Sequence, residues 1–170
     1  VDAQAMEGWW YEGAGIYRAV TLVTASPVHV PQWGTFVRTE STAGGARVLI
    51  SVEVANESEA DTQVTLRHEI RAPDGTVVAR IPEWTGTIPT EQRIDKDAEA
   101  MLAAPRLWSI QTPQLYRLVS EVLIDGALVD RYETSFGIRS IRFDAQRGFL
   151  LNERPVKLLR AFTKVALAPG

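Results

Sequence analysis

Carboxylates, imidazoles and nucleophiles are the groups that could carry chemistry here. Two Asn-Glu dipeptides, Asn56-Glu57 and Asn152-Glu153, and the alternating run Asp95, Asp97, Glu99 could act as acid or base or hold a metal. Two-residue spacing puts Asp95, Asp97 and Glu99 on one face of a strand. A solvated edge is the reading that suits such a row. Asn56-Glu57-Ser58-Glu59 reads as a polar turn after a strand, where a carboxylate is solvated, and neither Asn-Glu pair has an apolar pocket or a partner carboxylate indicated. The histidines, His29 and His68, are far apart and lack ligand spacing. His68 keeps register with Val64, Leu66 and Ile70, which predicts an inward or edge ring with its hydrogen bonds satisfied. No Gly-x-Ser-x-Gly stretch presents a serine nucleophile. Gly13-Ala14-Gly15 and Gly44-Gly45 lack the lysine of a phosphate loop. The expectation is no catalytic residue, no metal and no cofactor in this chain.

The elements that would position such groups are strands. In Val48-Leu49-Ile50-Ser51-Val52-Glu53-Val54, the residues Val48, Ile50, Val52 and Val54 share one face, and Val64, Leu66 and Ile70 repeat the pattern. Apolar-in, polar-out alternation is what a half-buried antiparallel strand needs. Asp125-Gly126 sits between strands at Leu115–Ile124 and Ala127–Phe136 as a two-residue hairpin loop. Pro73-Asp74-Gly75 joins a strand ending near Ala72 to another over Thr76–Ile81. Asp95 to Ala104 is rich in helix formers but ends at Pro105, and helix, strand and irregular connection all remain open for it. About seven strands fall between Trp33 and Gly137, the number and span of an immunoglobulin-like antiparallel β-sandwich, an all-β fold. Trp33 and Trp108 read as core or rim anchors, and Trp84 sits near an edge. Tyr116, opening the sixth strand, is placed to bond its hydroxyl back to upstream backbone.

The chain has 170 residues, 18 basic and 21 acidic, and no cysteine. Disulfides and thiolate metal sites are therefore excluded, and the compartment stays open. Interspersed charge with a net −3 argues against a nucleic-acid partner, which needs a clustered basic face. No apolar run approaches the roughly 18 residues of a membrane-spanning helix. The start, Val1-Asp2-Ala3-Gln4-Ala5, has neither an initiating Met nor a signal, which suits a fragment boundary.

Four blocks, in order, resemble glycoside hydrolase family 2, particularly its β-galactosidases. They are Gly8-Trp9-Trp10-Tyr11-Glu12-Gly13-Ala14-Gly15-Ile16-Tyr17-Arg18, then Pro27-Val28-His29-Val30-Pro31-Gln32-Trp33-Gly34-Thr35-Phe36. Next come Pro105-Arg106-Leu107-Trp108-Ser109 with Pro113-Gln114-Leu115-Tyr116, and Phe136-Gly137-Ile138-Arg139 leading to Gly148-Phe149-Leu150-Leu151-Asn152. The resemblance implies three segments: residues 1–26 as the exit strand of a jelly roll, 27–140 as the sandwich, and 141–170 as a hairpin and truncated junction to a catalytic barrel. Asn152-Glu153 stands where the family has Asn-Gly, and the tail after Leu158 lacks the family's His-bearing barrel strand.

What the resemblance implies about activity lies elsewhere in a longer protein. A retaining glycosidase needs two carboxyls about 5–5.5 Å apart, and the family carries both on a barrel of about 250 residues. Only twelve residues follow Leu158. The expectation is a non-catalytic spacer between the jelly roll and the barrel of a β-galactosidase-like enzyme, itself inactive, with carbohydrate as the parent's ligand. Sugars stack on aromatic faces, and the jelly-roll strand lies near the barrel mouth in related enzymes. Tyr11, Glu12 and Trp9 are therefore the substrate-facing candidates. An orphaned strand would also favour a homodimer. Rival readings are a free-standing carbohydrate-binding module, using Trp84 and Trp9 as exposed platforms, and a cell-surface interaction domain.

Overall fold

Alternation becomes burial in the structure, a computed structural model that describes residues 15, 16 and 18–157. Val48, Ile50, Val52 and Val54 are all at 3 % exposure or less. They lie on β3 (Gly45–Asn56), the central strand of the first sheet. Along one side β3 pairs with β1 (Val28–His29) and β2 (Thr35–Thr42), and along the other with β6 (Gln92–Leu102). The second sheet runs in the order β5 (Val77–Ile88), β4 (Thr62–Arg71), β7 (Tyr116–Ile124), β8 (Ala127–Phe136). Every pairing is antiparallel.

The inner faces of the two sheets meet in one cluster that includes Val48, Val52, Leu66, Ile70, Leu118 and Val122. Burying each such side chain stabilises by about 1.5–3 kcal/mol. A one-residue slip would turn a whole strand's apolar set to solvent, so the alternation also fixes register. Strands β2 to β8 make an immunoglobulin-like sandwich of three plus four strands, all-β among the described residues.

The turns follow local chemistry. Asp125 (φ 50°) and Gly126 (φ 78°) both adopt left-handed backbone, the twist-matched hairpin loop. At the β4–β5 turn, Gly75 donates to the Ala72 carbonyl at 2.8 Å and Thr76 donates to Asp74 Oδ1 at 3.0 Å. Strand β5 does not stop at Ile81. It runs through Pro82 because it is an edge strand with a bulge there: Leu66 pairs with Trp84 and His68 with Ile81. A proline and an extra residue are tolerated where no outer strand needs the N–H. The Asp95–Ala104 stretch is mostly strand, since β6 pairs with β3 along its length. Beyond the sandwich, β9 (Ile141–Asp144), β10 (Gly148–Leu151) and β11 (Arg154–Pro155) form a small sheet of their own.

Candidate functional site

Of the candidate carboxylates, Glu57, Glu99 and Glu153 each lie against an arginine. Asp95, Asp97 and Glu99 are exposed and lie opposite Glu53, Ser51 and Leu49. Glu99 pairs with Arg47, and Arg93 relieves Glu53 at 2.9 Å, since like charges facing across strands repel. Glu57 lies 3.8 Å from Arg93. Glu153 is held below the usual carboxylate range by its hydrogen bond to the Arg142 guanidinium. Backbone N–H groups do the same for Asp74, through Thr76, and for Asp144, through Arg147 and Gln146. A general acid needs the opposite shift, upward by burial. No group of three or more metal-ligating side chains converges among the described residues.

Asn56 is not part of an open turn. It is fully buried, its amide donates to the Ala60 and Ile88 carbonyls at 2.9 Å each, and its oxygen accepts from Ser58. The pattern of a polar turn hid a strand-end residue that ties β3 to β5. His68 is buried on β4, its Nδ1 3.0 Å from the Ser120 hydroxyl on β7, and burial pushes its pKa down. His29 lies on β1 in the other sheet.

The aromatic residues divide three ways. Trp84 is occupied: its ring crosses Gly86 so closely that an added Cβ would meet it at 2.3 Å, and Lys96 Nζ lies 4.3 Å from the ring centroid. Trp33 requires a correction, because it is 85 % exposed and so no core anchor. It occupies the third position of the turn Pro31-Gln32-Trp33-Gly34, at φ 67°, and this backbone carries the indole away from the packed interior. Trp9, Tyr11 and Glu12 lie outside the described residues.

Trp108 sits at the rim, where the sandwich meets the small sheet. Its N–H donates to the Ile138 carbonyl at 2.8 Å, its side chain lies against Gly137, and the Arg139 guanidinium is 5.0 Å from its ring centroid. Asn152 completes the joint. Its side-chain amide donates to the Trp108 carbonyl at 2.9 Å and its oxygen accepts the Ser140 N–H at 3.0 Å, while its own N–H donates to the Ser140 carbonyl. A groove of about 560 Å³ opens beside this joint, lined by Trp108, Leu115, Phe136, Arg139 and Ile141 among others. Nearby, Tyr116 stacks on Phe136 at 5.8 Å, and its hydroxyl accepts the Arg106 N–H at 2.8 Å. The Asn152 bonds tie the β10–β11 loop to the Trp108 backbone and to Ser140. The part played by Asn152 was hidden in the sequence, where it looked like one half of a hairpin loop.

A β-galactosidase of Bacteroides ovatus is 35 % identical over 158 residues, covering 92 % of this chain and 18 % of that protein. A β-glucuronidase of Formosa agariphila is 31 % identical over 161 residues, covering 89 % of this chain and 16 % of its own length. A solved family 2 glycosyl hydrolase from Bacteroides cellulosilyticus matches with a TM-score of 0.68 at 36 % identity, over 79 % of this chain and 18 % of that one. The chain therefore spans less than a fifth of the length of these relatives. The profile of glycosyl hydrolases family 2 matches residues 28–139, which takes in every strand of the sandwich, and the chain belongs to that family.

Proposed function

We propose that this chain is the structural sandwich of a longer retaining β-glycosidase and holds its sugar-binding and catalytic domains in fixed relation. In this reading residues 1–26 belong to a preceding jelly roll, 27–140 to the sandwich, and 141–170 to the junction with a barrel. The relatives are named as β-galactosidases and β-glucuronidases, so the substrate class is a terminal β-linked galactose or glucuronic acid. The observation that carries the reading is the Asn152 clamp. A spacer works only if its end joint is stiff, and Asn152 fastens the small sheet to the sandwich through Trp108 and Ser140. Stiffness matters because a misplacement of about 1 Å in positioning groups can lower a rate by about a hundredfold.

The test is a parallel assay of the purified chain and of the full product of the same gene, with chromogenic β-galactoside and β-glucuronide. The chain alone is expected to be silent and the full product active on at least one. Turnover by the chain alone, at a level independent of any longer contaminant, overturns the proposal.

A further inference from the structure

We propose that the turn Pro31–Gly34 is a preformed docking anchor, which seats the Trp33 indole in a neighbouring domain of the same polypeptide. The inference rests on the reading that this chain is part of a longer enzyme.

Its starting point is a residue in the wrong backbone. The turn closes with Gly34 N–H on the Pro31 carbonyl at 2.8 Å, and Trp33 occupies the third position at φ 67°. That position normally takes glycine or asparagine, and a bulky side chain there is an outlier. Strain of this kind persists only when the surroundings impose it, and it gathers at functional sites. Here the surroundings impose it from both sheets. The Glu53 N–H donates to the Gly34 carbonyl at 2.7 Å from β3. From β8 in the opposite sheet, the Tyr132 hydroxyl accepts the Trp33 N–H at 3.2 Å and Asp130 Oδ2 accepts the Val30 N–H at 2.8 Å. Gly34 allows nothing larger, because a Cβ would lie 2.9 Å from the Pro31 oxygen.

All this order holds out one indole, 85 % exposed, and Phe36 three residues later is 68 % exposed. Single exposed apolar residues are ordinary, but this indole is held out by a strained turn tied to both sheets, and Phe36, on β2 just beyond the turn, is exposed as well. Rigid, buried-on-contact tryptophans are typical interface anchors. The polypeptide beyond this chain is what could cover them, since the relatives devote more than four-fifths of their length to other regions. The receiving surface must offer an apolar slot with an acceptor for the indole N–H. A saccharide fits less well: the polar groups that reach the turn, Asp130 and Tyr132, are already engaged by its own amides.

The test uses Trp33→Gly and, as a second variant tolerant of the same backbone, Trp33→Asn. In the 170-residue chain both are expected to leave the thermal midpoint unchanged or raise it by about 2 °C, as left-handed strain is relieved. In the full gene product the same variants are expected to lower the midpoint and to speed proteolytic separation of the domains severalfold. An equal fall in both proteins overturns the proposal in favour of a purely local role. No effect on the full product also overturns it, as does a reading frame with no further domain. Saccharide-dependent fluorescence that vanishes in Trp33→Gly overturns it too. If the full product lacks glycosidase activity, the proposed function fails, while midpoint and proteolysis still judge the anchor.

Discussion

The Tyr116 hydroxyl accepts the Arg106 N–H at 2.8 Å, so the first residue of β7 is fastened to backbone ten residues earlier. The segment between them, from Arg106 to Leu115, contains no strand, and this bond limits how far its start can swing from the sheet. Tyr116→Phe keeps the stack on Phe136 and removes only the acceptor. The expected loss is about 1 kcal/mol in urea unfolding, the usual net value of one satisfied hydrogen bond. A loss of a few tenths would mean that water replaces the hydroxyl and the bond does not shape the corner.

The buried His68–Ser120 pair makes stability depend on pH in a definite direction. Burial lowers the His68 pKa in the folded chain below its unfolded value of about 6.5. The neutral ring is the form that fits, so the unfolded state takes up a proton first as pH falls. Stability is full above the unfolded pKa, declines as pH drops through it, and levels off below the folded pKa. Urea midpoints at pH 8 and pH 5 should differ, and His68→Gln should flatten the dependence in that window. The lowered carboxyls Asp74, Asp144 and Glu153 act in a separate, more acid window, where protonation removes their bonds. An unchanged pH slope in His68→Gln would assign the effect to other groups.

The sequence was readable wherever local chemistry and tertiary demand coincide. Asp125-Gly126 named its hairpin because both residues accept left-handed backbone, and Val48 to Val54 named their inner face because period two matches the pleat. The Asp95–Ala104 stretch was ambiguous for a physical reason. Its inward positions include Lys96, Ala98 and Ala100, small or charged residues that blur the apolar period, and pairing with β3 overrides their helix propensity. Trp33 departs from the core half of the core-or-rim expectation because nothing in Pro31-Gln32-Trp33-Gly34 announces positive φ at a tryptophan. Asn152 was opaque for another reason: its partners, Ser140 and Trp108, are 12 and 44 residues away, and only the fold brings them together.

Gly45 is a position where the chain tolerates no side chain. Its φ is 138°, and an added Cβ would fall 2.0 Å from the Leu102 carbonyl oxygen, at the end of the β3–β6 ladder. Gly45→Ala therefore requires a backbone shift that breaks pairing there, with a loss of more than about 1 kcal/mol. Gly44→Ala is the control, because open space surrounds it and its backbone is ordinary. Thermal midpoints should separate the two, with Gly45→Ala falling and Gly44→Ala nearly unchanged. Equal behaviour would show that the β2–β3 turn relaxes freely.

The joint at Asn152-Glu153 separates two contributions that a hairpin loop usually combines. Both residues have positive φ, 51° and 62°, so the loop carries backbone strain at Glu153, where glycine would sit without strain. Glu153 recovers little of this through its ion pair with Arg142, since solvent screens an exposed pair. Glu153→Gly is therefore expected to be neutral or mildly stabilising. Asn152→Ala is different, because it leaves the Trp108 carbonyl and the Ser140 N–H without their side-chain partners. About 1–3 kcal/mol of local stability should be lost if water cannot replace either bond. The loss should appear first as faster amide exchange across β9 to β11, with the sandwich strands β3, β4 and β7 still protected. If exchange instead rises evenly over both sheets, the clamp belongs to the core's own stability and not to a joint between bodies.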